Sequence, residues 1–281
     1  ILHPSVQVVM FEGLSAELVP QLDLSYKKDD WQFRGSIGKT VRDADFTERY
    51  NTYNKVTIAA EQRVGYPDLV AERSLSYEAG VDRFFQDRWK VSATFFQRFQ
   101  RRLIDYSNTK YDDMPRKDNL IPGGTYALAK NIAAVNTSGF EADVRYRHDI
   151  SNNQQLEWAA GFIALKSRDS DTLPSFYISS HARFLVNFTL AYHYKNLSAS
   201  VIGLYKERQS QYVSAIQAHI SPDYFVVGAR VAYALLRDRW GIFVQADNIL
   251  DRQYSDLLGA PMPGRWLMMG VKWQWNKKEN E

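Results

Sequence analysis

The sequence predicts an all-β protein, an antiparallel transmembrane β-barrel of which about twelve strands are present here. Three observations support this prediction. Apolar and polar residues alternate with a period of two in segment after segment. Tight and long connections alternate along the chain, and aromatic residues gather near the strand ends. Helical spacing of apolar residues is scarce, so we expect helix in under about a tenth of the residues.

Alternation defines the strands one by one. In the segment 224–235, for example, Phe225 and Val227 share one parity while Gly228 and Arg230 share the other. The predicted strands are 1–10, 17–28, 30–41, 73–85, 88–106, 124–149, 154–167, 182–194, 196–208, 223–235, 239–248 and 264–275. The segment 124–149 is long for a single strand, and a break near 136–139 would divide it into two.

The two parities predict the two faces of the barrel wall. An unpaired charge facing hydrocarbon costs about 2–4 kcal/mol at mid-depth, so the charged parity must face the lumen. The residues predicted to face lipid are Phe225, Val227, Val231, Ile242, Val244, Val186, Phe188, Leu190, Leu267 and Val271. The residues predicted to face the lumen include Gly228, Arg230, Gln245, Lys272, Glu141, Asp143, Arg145 and Arg147, together with Asp247 and Arg265, to which we assign structural roles.

The connections sort by length. The tight ones lie at 27–30, 86–87, 151–153, 195–196 and 237–238, and the long ones at 42–72, 107–123, 168–181, 209–222 and 249–263. They alternate strictly if 124–149 is one strand, which places every tight turn at one end of the sheet and every long loop at the other. That arrangement is typical of outer-membrane barrels, whose turns are periplasmic and whose loops are extracellular. Tyrosine and tryptophan near strand ends suit the membrane interface.

Composition excludes several classes of function. A net charge of +3 and the lack of a Lys/Arg block argue against nucleic acid. The sequence has no cysteine, which excludes disulfides, thiolate metal sites and thiol nucleophiles. The five histidines have no metal-ligand spacing, and no G-x-S-x-G motif is present. We therefore expect no catalysis, no bound metal and no cofactor, and no apolar run is long enough for a membrane-spanning helix.

Several segments resemble the TonB-dependent outer-membrane receptors. The stretch 244–254 reads V-Q-A-D-N-I-L-D-R-Q-Y and 259–265 reads G-A-P-M-P-G-R, which are similar to the family's V-x-N-L-F-D-x-x-Y and P-G-R signatures before the last strand. The stretch 65–81 resembles the family's N-P-x-L-x-P-E-x-S-x-x-Y-E-x-G segment, with Gly65 and Ala71 at the Asn and second Pro positions. Weaker resemblances lie at 93–104 and 129–142.

The resemblance implies a domain organisation. In this family a 22-stranded barrel surrounds an N-terminal plug. Residues 1–275 would form the C-terminal part of such a barrel and 276–281 a short polar tail after Trp275, with the plug absent from this chain. Closing twelve strands would require 1–10 to pair with 265–275. Pro4 makes the first segment a poor partner, because proline donates no ladder hydrogen bond, so we expect further strands before Ile1.

The resemblance also implies a function. It implies active uptake of a scarce nutrient, such as a ferric siderophore, cobalamin or haem, in the bacterial outer membrane. The partners would be outer-membrane lipid, the small-molecule nutrient and the TonB energy-coupling complex acting through the plug, with a surface lipoprotein as a further candidate partner. Aromatic and amide side chains on the long loops suit a bulky planar or chelate ligand. The candidate ligand-binding residues are Tyr50, Tyr53, Tyr66, Tyr111, Phe176, Tyr177, Tyr212, Gln217, His219 and Tyr254.

Alternative interpretations remain open from the sequence. The loop aromatics could instead pack the loops against one another. The chain could form a closed twelve-stranded passive pore, which would conduct ions in planar bilayers. It could also be a non-transporting adhesin or a barrel capped by a lipoprotein, which would bind its partner regardless of small ligands.

Overall fold

The computed structural model describes residues 1–10, 16–169, 182–208, 211–213, 218–235, 239–257 and 260–274. Strand follows strand in the order β1 (Leu2–Val9), β2 (Glu17–Lys28), β3 (Trp31–Arg42), β4 (Arg63–Val64), β5 (Glu72–Phe85), β6 (Trp89–Lys110), β7 (Thr125–Ser151), β8 (Gln154–Asp169), β9 (Ala182–Tyr194), β10 (Leu197–Arg208), β11 (Gln211–Val213), β12 (Ala218–Ile220), β13 (Asp223–Leu235), β14 (Trp240–Asp247), β15 (Ser255–Leu257), β16 (Ala260–Pro261) and β17 (Trp266–Trp273). Helix in the described part is confined to α1 (Phe46–Tyr50) and one 3-10 turn (Tyr111–Asp113).

One large antiparallel sheet contains all twelve predicted strands. Its order is β1-β2-β3-β5-β6-β7-β8-β9-β10-β13-β14-β17, with the two-residue β4 added in parallel to β7. The predicted segment 124–149 forms the single 27-residue strand β7, without a break near 136–139. No helix among the described residues is long and apolar enough to cross a membrane. The predicted turn at 237–238, Trp275 and the tail 276–281 lie outside the described residues.

The two edges of this sheet are not joined to each other. Within the described part of the chain, β1 pairs only with β2, through partners such as Pro4 and Leu22, and β17 pairs only with β14. The contact that a closed twelve-stranded pore requires, between β1 and β17, does not form there. The sheet is therefore a partial barrel wall.

Register places the apolar and polar parities on opposite faces, as predicted. Val231 pairs with Val244, and Val244 with Met269, so the apolar side chains form continuous cross-strand rows on one face, called the outer face. Arg230 pairs with Gln245 on the other face, called the inner face. The shared faces are thus confirmed, whereas contact of the outer face with lipid stays a prediction. Val244 is 56% exposed and Met269 83% exposed, which is the expected state of a face that meets hydrocarbon.

Aromatic side chains form two rows on the outer face. Near the tight turns, the ring of Trp89 lies 4.5 Å from that of Tyr146 and 5.5 Å from that of Trp158. Nearer the long loops, the ring of Phe162 lies 6.4 Å from that of Phe140 and 4.8 Å from that of Phe184. Six residues separate the rows along β7, or about 20 Å at ~3.3 Å per residue. This approximates the height of the apolar band of a transmembrane barrel.

The buried hydrophobic core lies above the sheet rather than within it. Strands β6 and β7 continue beyond the last pair that β5 makes, and their projecting hairpin is covered by residues 43–71 and 111–124. We call this assembly the loop cap. Its main buried cluster consists of Ile58, Val64, Met114, Leu120, Tyr126 and Leu128. A second buried cluster consists of Leu69, Ile104 and Ala129.

Candidate functional site

Asn131 of β7 joins the loop cap to the wall. Asn131 Oδ1 accepts from the backbone N–H of Val70 at 2.9 Å, and its Nδ2 donates to the carbonyls of Val70 and Arg102, both at 2.8 Å. Arg102 has a positive φ of 57°, which interrupts the regular strand geometry of β6. The nearby N–H of Ile104 donates instead to Glu72 Oε2 at 3.0 Å. Two of the sequence segments that resemble the family, 65–81 and 129–142, therefore meet here.

A charged junction fixes the chain where it enters the loop cap. Arg42 donates to Glu48 at 2.9 Å and to Glu72 at 2.7 Å, linking the end of β3 to α1 and to the start of β5. The side chain of Asp45 accepts from the N–H of Glu48, and Glu48 accepts from the N–H of Asp45, which forms a capping box at α1. The first long loop consequently has a defined conformation.

Four predicted ligand residues lie in the loop cap. Tyr66 and Tyr111 are partly buried against its main cluster, as expected if loop aromatics pack the loops together. Tyr50 is 40% exposed, and its ring meets that of Tyr53 edge-on at 5.7 Å. Tyr50 and Tyr53 are thus adjacent, and Tyr50 is the more accessible of the two.

Sequence reasoning missed a cation beside these tyrosines. The guanidinium of Arg116 lies 3.8 Å from the centre of the Tyr53 ring. Its Nε and Nη2 atoms are buried and have no hydrogen-bond partner within the described part of the chain. Lys117 lies 5.3 Å from the Tyr111 ring. The basic pair 116–117, in the same loop as Tyr111, is the sequence signal that could have identified this group.

The remaining described tyrosine, Tyr254, belongs to a second cluster, called the loop clamp. Its ring lies 4.4 Å from that of Tyr224, whose hydroxyl donates to Asp256 at 2.9 Å. Lys206 and Arg208 donate to the same carboxylate at 2.8 and 3.0 Å. Arg208 is buried, and it also donates to the carbonyls of residues 221, 255 and 256. The clamp thus holds the last loop against β10 and β13.

Electrostatics in the loop clamp favour an ionised carboxylate. Burial acts to raise the pKa of Asp256, but the hydrogen bonds from Lys206 and Tyr224 outweigh burial and lower that pKa below its ordinary value. Burial raises the pKa of Tyr254, which keeps its phenol neutral. Tyr254 contacts the Tyr224 ring and also lines a cavity, so its role as a ligand residue stays a prediction. The charges of Lys206 and Arg208 at the loop end of β10 are the sequence signal that was missed.

The two signature segments of the last loop interlock. Asn248 Nδ2 donates to the carbonyls of Arg252 at 2.9 Å and Pro263 at 3.1 Å. The N–H of Arg265 donates to Asp251 at 2.8 Å, and its Nε donates to the carbonyl of residue 249 at 2.9 Å, in keeping with the structural role predicted for this arginine. A Cβ on residue 264 would lie 2.8 Å from Asp251 Oδ1, so a glycine fits there.

The other predicted ligand residues lie in the third and fourth long loops. Phe176, Tyr177 and Gln217 lie outside the described residues. Tyr212 and His219 are direct backbone partners in the ribbon formed by β11 and β12. The structure therefore pairs Tyr212 with His219, but this pair lies on different elements from those of the loop cap and the loop clamp.

The inner face is lined by charged and polar groups. A cavity of about 440 Å³ is lined by Gln32, Arg34, Glu78, Asp82, Lys90, Ser92, Thr94, Glu141, Asp143 and Arg145. Arg34 donates to Asp82 at 3.0 Å across this surface. A second cavity of about 600 Å³ lies beneath the last loop and includes Arg230, Asp247, Tyr254 and Trp266. Among the described residues no group of His, Asp and Glu is arranged to hold a metal ion.

An apolar outer face, a polar inner face and ordered long loops at one end define a partial outer-membrane β-barrel. The family model described as TonB dependent receptor-like, beta-barrel matches residues 12–249. The chain belongs to this family, whose members are outer-membrane proteins. No curated protein sequence matches the chain.

Solved structures with the same fold include two transporters and a receptor. The FrpB iron transporter of Neisseria meningitidis (F3-3 variant) is 16% identical to this chain with a TM-score of 0.65. The alignment covers 92% of this chain and 39% of the transporter. The ferric enterobactin receptor PfeA of Pseudomonas aeruginosa (Q482A mutant with enterobactin) is 14% identical with a TM-score of 0.68, and the alignment covers 96% of this chain and 42% of the receptor. The copper transporter OprC is 16% identical with a TM-score of 0.65, and the alignment covers 92% of this chain and 40% of the transporter. The chain thus spans about two fifths of the length of these structures.

Proposed function

We propose that this chain is the C-terminal part of the barrel of an active nutrient transporter, and that a plug and further strands complete it. The observation that carries the proposal is the polar inner wall beneath the ordered loop cap. Charged groups such as Arg34, Asp82 and Glu141 serve no purpose in a wall that only packs against hydrocarbon, whereas they suit a path for a polar solute or the surface of a plug. Uptake would be powered through the TonB complex acting on the plug.

The substrate that best fits the loop cap is an anionic metal chelate with planar groups. Arg116 offers buried N–H donors next to the Tyr53 ring, and Tyr50 adds an exposed ring beside them. Guanidinium and aromatic groups together favour planar anions such as a catecholate. The solved neighbours include an iron transporter, a ferric enterobactin receptor and a copper transporter, which supports a metal-containing cargo. Haem and cobalamin stay within the proposed range of cargo.

Ligand binding by the full-length receptor tests this proposal. A panel of ferric catecholate and hydroxamate siderophores, haem and cobalamin would be titrated into the purified protein by tryptophan quenching. We expect one ferric chelate to bind at micromolar concentration or tighter, and its uptake by cells to require TonB. The Arg116→Gln variant should bind it about tenfold more weakly, the loss of roughly one charge-assisted hydrogen bond. A Lys28→Gln variant, at a tight turn, provides the matched control.

Other results would reject the proposal. Large ion conductance of the full-length protein in planar bilayers, without binding of any chelate, would identify a passive pore. Tight binding of a surface lipoprotein that no small ligand affects, with no uptake, would identify an adhesin or scaffold. Uptake that continues in cells lacking TonB would show that transport is not powered through the TonB complex.

A further inference from the structure

The outer face changes character on the loop side of the upper aromatic row. Five cations lie on it, drawn from four strands: Lys39 of β3, Arg73 of β5, Arg101 of β6, and Lys166 and Arg168 of β8. We call them the basic row. Register places them together, because Arg73 pairs directly with Arg101, while Lys166 and Arg168 pair with Ser138 and Asn136 of β7.

The height of the basic row follows from the aromatic residues below it. Tyr77 and Phe99, with ring centres 6.1 Å apart, lie on the same face of β5 and β6. Arg73 is four residues beyond Tyr77 and Arg101 two residues beyond Phe99, which corresponds to about 7–13 Å along the strands. Aromatic rows mark the edge of the hydrocarbon. The basic row therefore lies level with the lipid headgroups of the leaflet on the long-loop side.

The chain supplies little negative charge to the basic row. Glu17 accepts from Lys39 at 3.0 Å and from Arg73, so one carboxylate serves two cations. Arg101, Lys166 and Arg168 are exposed and form no ion pair within the described residues. Like charges directly opposite each other, as at residues 73 and 101, destabilise a sheet unless an anion lies between them.

The other half of the sheet provides an internal contrast. At the loop end of β10 and β13, the direct partners on the outer face are Glu207 and Asp223, two carboxylates. From the tight turns up to Arg101 of β6 and its neighbours, the paired outer-face residues of β3 and of β5 to β8 include no carboxylate; Asp105, paired with Lys130, lies beyond that level. At the loop end of the outer face, cations therefore predominate on β3, β5, β6 and β8, and carboxylates appear from β10 onward, where Glu207 lines the same cavity as Lys166.

We propose that the basic row binds the phosphorylated headgroup of lipids in the outer leaflet. The inference rests on the outer-membrane location in the proposed function. Arginine binds phosphate with two parallel hydrogen bonds, and lysine binds it as a point charge. Gln97, Ser138 and Asn136, which share this face, supply neutral donors between the cations. The site thereby anchors the loop end of the wall at a fixed depth in the leaflet.

Lipid binding to the full-length receptor tests the inference. The wild type and an R101Q/K166Q/R168Q variant would be titrated in detergent with diphosphoryl lipid A, and bound lipid would be counted by native mass spectrometry. We expect the variant to bind at least about tenfold more weakly, because three charge-assisted contacts are lost. The matched control R83Q/R88Q/K195Q removes the same charge near the tight turns and should bind lipid A as the wild type does.

Competing probes define the source of the phosphate. Phosphatidylethanolamine should bind all three proteins weakly, and 10 mM inorganic phosphate should not displace lipid A from the wild type. Equal lipid A binding by wild type and R101Q/K166Q/R168Q overturns the inference, as does complete displacement by inorganic phosphate. Circular dichroism, and the change in gel mobility that a folded barrel shows on heating, confirm that each variant is folded. Nutrient uptake is measured separately, so a failure of transport leaves the lipid result interpretable.

Discussion

The loop cap and the barrel wall use apolar side chains in opposite ways. In the cap, Ile58 and Tyr126 are 0% exposed and form a dry core like that of a small soluble domain. In the wall, large apolar side chains such as Val244, which is 56% exposed, lie on the outer face and leave much of their surface uncovered by the chain. Strands β6 and β7 belong to both regions. Burial therefore stabilises the cap, whereas hydrogen-bonded ladders and surrounding hydrocarbon stabilise the wall.

This difference teaches where each region obtains its stability. Removing lipid should leave the cap folded and destabilise the wall. A cavity in the cap should unfold the loops locally and leave the wall folded. The following predictions test this contrast, beginning with the largest expected effect.

Tyr126→Ala should open the loop cap. The side chain is fully buried, and its hydroxyl donates to the carbonyl of Ile121 at 2.6 Å. Truncating a buried aromatic residue costs about 3–5 kcal/mol. Hydrogen exchange at 55–70 should accelerate strongly, while exchange in β9 and β10 stays unchanged. The matched variant is Phe95→Ala on the outer face, and equal acceleration in both variants would remove the distinction between cap and wall.

Val244→Arg should destabilise the wall in lipid. Val244 lies on the apolar outer face, where a cation near the midplane costs about 2–4 kcal/mol. Urea unfolding of the full-length receptor in liposomes measures the effect. Gln245→Arg, one residue further on and on the inner face, should cost much less. A larger loss in Gln245→Arg than in Val244→Arg would invert the assignment of the two faces.

Asn131→Ala should loosen the junction between cap and wall. Three hydrogen bonds to the backbone of Val70 and Arg102 are lost, and leaving such groups unpaired costs about 1–3 kcal/mol. Hydrogen exchange should accelerate at Val70 first. Asn131→Asp keeps the acceptor and loses the donor, so an intermediate effect is expected. Unchanged exchange in Asn131→Ala would show that the buried clusters alone hold the cap.

The loop clamp should weaken only in acid. The pKa of Asp256 is lowered in the folded protein, so the stability it contributes is fully present above its unfolded value of about 4 and disappears as pH falls through the lower folded value. A spin label at Leu250→Cys is unique, because the chain has no cysteine. Its mobility should stay constant from pH 8 to 5 and rise below about pH 4. In Asp256→Asn the mobility should be high throughout and independent of pH in that range.

The strand pattern could be predicted from the sequence because alternation is a local property of a pleated strand. Phe225 and Arg230 differ in parity, and parity alone assigns them to opposite faces. The pairing of strands joined by a tight turn, such as β2 with β3, followed as well, because a tight turn forces neighbours in sequence to pair. The strands joined by long loops pair in the same sequential order. The single long strand β7 was the one point at which the pattern left two interpretations, and pairing with both β6 and β8 decided it.

The loops were beyond sequence reasoning for a physical reason. The contacts of Asn131 with Val70 and of Arg116 with Tyr53 join residues about 60 positions apart, and no periodicity connects such positions. Tyrosine on a loop was a sound signal for exposure at Tyr50, yet Tyr66 packs on a buried core and Tyr254 joins a clamp. Sequence alone thus determined which residues form the wall and which face each one takes. Only the tertiary structure decided which loop side chains are buried and which remain free to meet a ligand, because burial depends on what the folded chain brings alongside.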